Sequence, residues 1–155
     1  MMIRINRLKI IIKTKAGNYE FDETFGDGLN LIASDDNTRG KSSVISAIYY
    51  ALGLEDILGG RNEKVLTSAY KNFIEDGSES YDVIESNIYL EVRGASDIIT
   101  LYRSAKHAVR KPQLVTVYFS DLDSIYNEET VYDDFYVNMR NSAKSPKGFH
   151  INLWV

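Results

Sequence analysis

The stretch Leu29–Ser43 constrains this chain most, because the hydrophobic pattern changes period inside it. Leu29, Leu31, Ile32 and Ala33 are four apolar residues in five, the pattern of a central strand covered on both faces. A polar run follows, and then Val44, Ile45, Ile48, Tyr49 and Leu52 recur at helical spacing, with Gly53 placed to close the segment. Strand, tight loop and helix in that order are phosphate-binding architecture. The first amides of a helix have no intrahelical partner and carry the positive end of its dipole. The candidate nucleotide-binding residues are therefore Asn37, Thr38, Arg39, Gly40, Lys41, Ser42 and Ser43. Gly40 admits close backbone approach, Lys41 reaches the outer phosphates, Ser42 is placed to ligate Mg²⁺, and Ser43 caps the turn or touches the inner phosphate. The pattern G-x-x-x-x-G-K-[ST] is broken at its first glycine, where Asp35 stands. The competing reading of Gly40-Lys41-Ser42-Ser43 is a plain helix start.

The residues around this loop resemble the N-terminal ATPase lobe of the SMC, RecN and RecF group of ABC-type ATPases, which includes many bacterial defence ATPases. Gly28-Leu29-Asn30-Leu31-Ile32 matches the strand that enters the loop, and Asn37, Gly40, Lys41 and Ser42 match the loop itself. Ala47-Ile48-Tyr49-Tyr50-Ala51-Leu52-Gly53 and Gly59-Gly60-Arg61 match the helix and turn beyond it. Asp35 and Thr38 replace loop glycines. The resemblance implies an α/β fold with α+β character, a P-loop NTPase lobe. Its mixed sheet carries a P-loop helix and an added antiparallel strand meander. It implies ATP and Mg²⁺ as ligands, action in DNA repair, chromosome maintenance or phage defence, and hydrolysis that needs a C-terminal lobe or second head. DNA is a further implied partner.

Composition bounds the rest. A chain of 155 residues fits one domain, residues 1–155, and buries on the order of two thirds of its unfolded surface. The expected organisation is strands and phosphate loop over 1–61, a helix and antiparallel strands over 62–119, and an acidic then apolar tail over 120–155. No apolar run, Ile10-Ile11-Ile12 included, is long enough to span a membrane, and no signal-peptide pattern opens the chain. The absence of cysteine excludes disulfides and thiolate metal sites and suits a cytoplasmic address. A net charge of −4 argues against a wholly nucleic-acid-binding surface.

Along the chain, Met2 to Thr14 reads as a strand with a basic side, Ala16-Gly17-Asn18 as a hairpin turn, and Tyr19 to Phe25 as a second strand. A short helix is expected from Asn62 or Thr67 through Ile74, ending at Gly77. Strands follow at Val83–Arg93, Ile98–Arg103 and Leu114–Phe119. Arg103–Lys111 is a basic loop, read either as a phosphate-backbone contact or as a solvated hairpin tip. Glu128-Glu129 and Asp133-Asp134 lie in a segment read as surface helix or loop. His107 and His150 have no triad neighbours, and Phe149, Ile151, Leu153 and Trp154 make an apolar tail. No catalytic residue is identified, since no strand after the loop ends in a carboxylate of the required kind; Val115–Asp121 comes nearest. The alternatives to an ATP-binding lobe are a non-catalytic interaction module with a degenerate loop and a self-sufficient P-loop kinase or GTPase.

Overall fold

Alternation at the start of the chain becomes strand β1, Arg4–Thr14, which turns Leu8, Ile10 and Ile12 to one face and Arg7, Lys9 and Lys13 to the other. The computed structural model describes residues 2–33, 40–137 and 148–149. The chain reverses at Lys15-Ala16 into β2, Gly17–Thr24, in unbroken antiparallel register from Thr14↔Gly17 to Arg7↔Thr24. The remaining strands are β3 (Phe73–Asp76), β4 (Glu79–Arg93), β5 (Ile98–Lys106), β6 (Leu114–Tyr118), β7 (Tyr132–Val137) and β8 (Gly148–Phe149). They form one sheet in the order β2-β1-β4-β5-β6-β7-β8, with β3 beside the start of β4. Among the described residues every pairing is antiparallel apart from that of β7 with β8.

This architecture overturns the expected fold class. An α/β P-loop NTPase lobe requires a mixed sheet whose central strand runs into the loop and helix, whereas this sheet is a predominantly antiparallel meander carrying a single α-helix among the described residues. Leu29–Ala33 joins no strand, and Leu29 and Leu31 are 97% and 86% exposed. Two physical causes operate. The connections joining β1 to β2, β3 to β4 and β4 to β5 are too short for a crossover, so those neighbours run antiparallel. Apolar composition makes a buried strand only where neighbouring strands exist to cover it, and none does so here among the described residues.

Two local expectations are corrected as well. In place of the helix over 62–74, the 3₁₀ turns Asn62–Val65 and Ser68–Tyr70 lead into β3. Gly77, at φ +64°, serves the two-residue reversal between Asp76 and Glu79 rather than a helix end. Asp133 and Asp134 lie within β7, not in a surface helix or loop.

Helix α1, Lys41–Ala51, packs across one face of the sheet. It ends as the sequence indicates. Gly53 sits at φ +70°, its N–H donates to Tyr50 O at 3.1 Å, and the Leu54 N–H donates to Tyr49 O at 2.9 Å. Those two bonds form a Schellman motif that satisfies the last carbonyls. Beneath the helix, Leu8, Leu90, Leu101 and Val117 stand in register across β1, β4, β5 and β6, none more than 4% exposed. Each such side chain contributes about 1.5–3 kcal/mol by its burial. The opposite face is polar and aromatic: Tyr89 stacks on Tyr102 with centroids 4.7 Å apart, and Leu122 and Ile125 of the β6–β7 connection cover them. No helix among the described residues is long and apolar enough to cross a membrane.

Candidate functional site

Gly40 adopts φ +75°, ψ +10°, a left-handed conformation that glycine enters at little cost, immediately before the first turn of α1. The Val44 N–H donates to Gly40 O at 3.1 Å and opens the helical ladder. The amides of Lys41, Ser42 and Ser43 therefore have no partner within the helix. Gly40, as N-cap, has no side chain to cap this end, and no acidic residue stands in the first turn, Lys41–Ser43. Beside it lies a cleft of about 380 Å³ between α1 and the β1–β2 hairpin, lined mainly by apolar side chains such as Ile10, Tyr19, Phe21 and Val44, with Gly40 and Lys41 at one end. Glu20 reaches its rim, but the register that points Tyr19 and Phe21 into the cleft turns Glu20 toward the other face.

Of the residues expected to bind nucleotide, Gly40, Lys41, Ser42 and Ser43 come together in this one turn, while Asn37, Thr38 and Arg39 lie outside the described residues. Ser42 is exposed. Ser43 is held: its Oγ shares a 3.2 Å hydrogen bond with Thr67 Oγ1, and its carbonyl accepts one of 3.0 Å from the Tyr70 hydroxyl. No group of three or more His, Cys, Asp or Glu side chains capable of holding a metal occurs among the described residues. Any Mg²⁺ here would rest on the Ser42 hydroxyl, phosphate oxygens and water. That donor set suits an ion that usually keeps several waters and takes few protein ligands.

The cations of β1 belong elsewhere. Arg7 donates to both carboxylate oxygens of Asp22, at 2.7 and 2.8 Å, and to Asp123 at 2.9 Å. Lys9 also approaches Asp22, and Arg4 pairs with Asp27. Arg7 thereby holds the Asp22 carboxyl below its ordinary pKa. Burial alone would raise the pKa of Glu85, but hydrogen bonds from Asn87 and Lys13 outweigh it and the net shift is downward.

The expected basic loop is shorter than read from the sequence, because Arg103 to Lys106 complete β5, and its cations are mostly structural. Arg103 is fully buried: Nη2 meets Glu55 Oε1 at 2.6 Å and Nη1 meets Oε2 at 3.0 Å. Its Nη1 and Nε also donate to Tyr50 O and Pro112 O, and its guanidinium lies 3.8 Å from the Tyr50 ring centroid. Arg110 lies over the Tyr102 ring and donates to Thr116 Oγ1 at 2.7 Å. His107 Nδ1 accepts from the amides of Val109 and Arg110, which makes it a turn-holding residue, while His150 lies outside the described residues. Lys106 and Lys111 remain as the loop's exposed cations. Asp121, at the end of the nearest acidic-strand candidate, accepts from the Ser124 amide and caps a 3₁₀ turn.

Glu55 and the Thr67–Tyr70 clamp were not visible as site elements in the sequence. A signal for the first existed: alternation along β5 puts Arg103 on the face of Ile99 and Leu101, where a cation must find a buried partner. Comparison of the chain with protein-family models, with curated proteins and with solved structures gives no match.

Proposed function

We propose that the first turn of α1 binds the phosphates of a nucleotide, ATP with Mg²⁺, and that the chain acts as the nucleotide-binding part of a larger assembly. The observation that carries this reading is the left-handed Gly40 at the N-cap of an 11-residue helix whose first turn has no acidic residue and whose Lys41 borders an apolar cleft. Amides, dipole and ammonium group then favour a polyphosphate together. Lys41 takes the outer phosphates and Ser42 a Mg²⁺ position. The cleft offers a dry surface for an apolar ring. Hydrolysis requires a carboxylate or other water-orienting group from a partner, and the cysteine-free sequence suits the cytoplasm.

The second reading, a binding module that takes no nucleotide, is favoured by the exposure of Leu29 and Leu31. Exposed apolar side chains two residues apart on a segment that joins no strand suit contact with a partner. In the first reading the same segment joins the chain to the polypeptide that completes it.

Titration calorimetry with Mg²⁺-ATP at low ionic strength, with hydrolysis followed in parallel, tests the choice. Binding by the parent that is lost in Lys41→Ala, with negligible turnover, is the expected result. No binding by the folded parent removes the nucleotide reading and leaves the module.

A further inference from the structure

We infer that Tyr70 is a positioning residue for the phosphate-facing turn of α1, an inference that rests on the reading of that turn as an anion site. The carbonyl of Ser43 lies in the first turn, where helical geometry already gives it the Ala47 amide. The Tyr70 hydroxyl supplies a second donor at 3.0 Å, so the peptide unit following Ser43 is fixed from outside the helix. Tyr70 is itself fixed. It is 3% exposed, and its own carbonyl accepts from Ser86 Oγ of β4 at 2.6 Å. Burial raises the phenol's pKa, which keeps it a donor. Thr67, three residues earlier, holds the Ser43 hydroxyl at 3.2 Å.

A continuous chain of hydrogen bonds thus runs from the central strand β4 through the 3₁₀ turn Ser68–Tyr70 to the first turn of α1. Its effect is to hold the first turn, and with it the amides of Lys41, Ser42 and Ser43, in place before any ligand arrives. Such preorganisation spares the ordering cost that binding would otherwise meet. Tyr70 also lines the cleft that Gly40, Lys41 and Ser43 line, so the clamp and the turn it holds border the same space.

Tyr70→Phe removes one oxygen and leaves Ser43 O with its helical partner, so the chain keeps its fold. Two measurements decide the matter. Amide hydrogen exchange without ligand should be faster at Val44 and Ala47 in the variant, with β4 and β5 unchanged. Calorimetry with Mg²⁺ and inorganic triphosphate should show affinity weaker by about three- to tenfold. Val115→Ala, a cavity variant in β6, two strands along the sheet from β4, should lower the melting temperature yet leave triphosphate affinity unchanged. Unaltered exchange at Val44 and Ala47 overturns the inference, as does faster exchange with undiminished affinity, or an equal loss of affinity in Val115→Ala. If the parent binds no triphosphate, the phosphate-site reading fails, and the role of Tyr70 toward a ligand fails with it. The ligand-free exchange still reports separately whether the clamp holds the turn.

Discussion

Replacing Glu55 by Gln is the sharpest test of how this chain anchors its helix. Glu55 and Arg103 have side chains 1% and 0% exposed, and two hydrogen bonds join them at 2.6 and 3.0 Å. Glutamine keeps the shape and one acceptor but removes the charge. Arginine cannot respond by releasing its proton, so Glu55→Gln leaves a cation in a dry site with only carbonyl dipoles and the Tyr50 ring for company. Breaking one side of a buried pair costs about 3–5 kcal/mol. The remaining carbonyl and ring contacts place the expected loss at the lower end, about 3 kcal/mol, a large share of the roughly 5–15 kcal/mol typical of a domain.

Urea denaturation gives that number directly, and a thermal melt should fall by about 6–12 °C for a chain of this size. The decisive control is the same substitution in an Arg103→Met background. There Glu55 is an uncompensated buried carboxylate, so Glu55→Gln should stabilise. A sign that reverses between backgrounds identifies a desolvated pair. A loss under about 1 kcal/mol in the parent, with no reversal, would mean that water reaches the pair and that the helix is anchored by apolar contact alone.

Two other outcomes follow from the same structure. Because Arg7 lowers the Asp22 pKa, the stability drawn from that contact is fully present above the ordinary aspartate range near about pH 4 and is lost as pH falls through the lowered value. The parent's lead over Asp22→Asn in melting temperature should therefore shrink between pH 5 and pH 3, measured by thermal melts across that range; a lead that grows on acidification refutes the pairing. Leu29→Ser with Leu31→Ser should change stability by no more than about 0.5 kcal/mol, since both side chains are exposed, while light scattering shows less self-association. A loss above about 2 kcal/mol by urea denaturation would show that the segment packs against the chain.

The parts of the fold legible in the sequence are those set by local chemistry. Alternation in β1, β4 and β5 and the helical period from Val44 to Leu52 survive into the structure because each finds a partner to bury against: β1 pairs with β2 and β4, β4 with β5, and the helix packs on the sheet. Leu29–Ala33 carries an equally strong apolar signal and fails, because burial is a property of neighbours, and composition does not report whether they are present. Val65, Leu66, Ala69, Tyr70 and Phe73 have helical spacing, but β4 offers an open edge at Glu79–Asp82 and Gly77 permits the tight reversal that pairs β3 with it. The ladder wins over a short helix of marginal intrinsic stability. At the candidate site, Gly40 to Ser43 were legible from the glycine and the change of period. Thr67, Tyr70 and Glu55 were not, since their roles arise from contacts made across 24, 27 and 48 residues of sequence.

The two ends of α1 are treated unequally, and that inequality bears on function. An 11-residue helix is marginal by itself, so its persistence depends on what its ends and its buried face meet. The C-terminal carbonyls of Ile48, Tyr49 and Tyr50 are served: Tyr50 O accepts both the Gly53 amide and the buried Arg103 guanidinium, a cation placed where the helix dipole is negative. At the N-terminus, clamping acts on position alone. Thr67 and Tyr70 hold Ser43 by its hydroxyl and carbonyl, and neither supplies a negative charge or an acceptor to the amides of Lys41 and Ser42. The first turn has no acidic residue, and Lys41 adds a positive charge to an end that is already positive. A helix built only for stability would gain about 0.3–1 kcal/mol from an aspartate or serine cap at this point. Rigid placement combined with a first turn that carries Lys41 and no acidic residue is an arrangement that gains from an incoming anion. It is also why the Lys41 and Tyr70 variants should separate: the first removes charge from the turn, the second removes its rigidity.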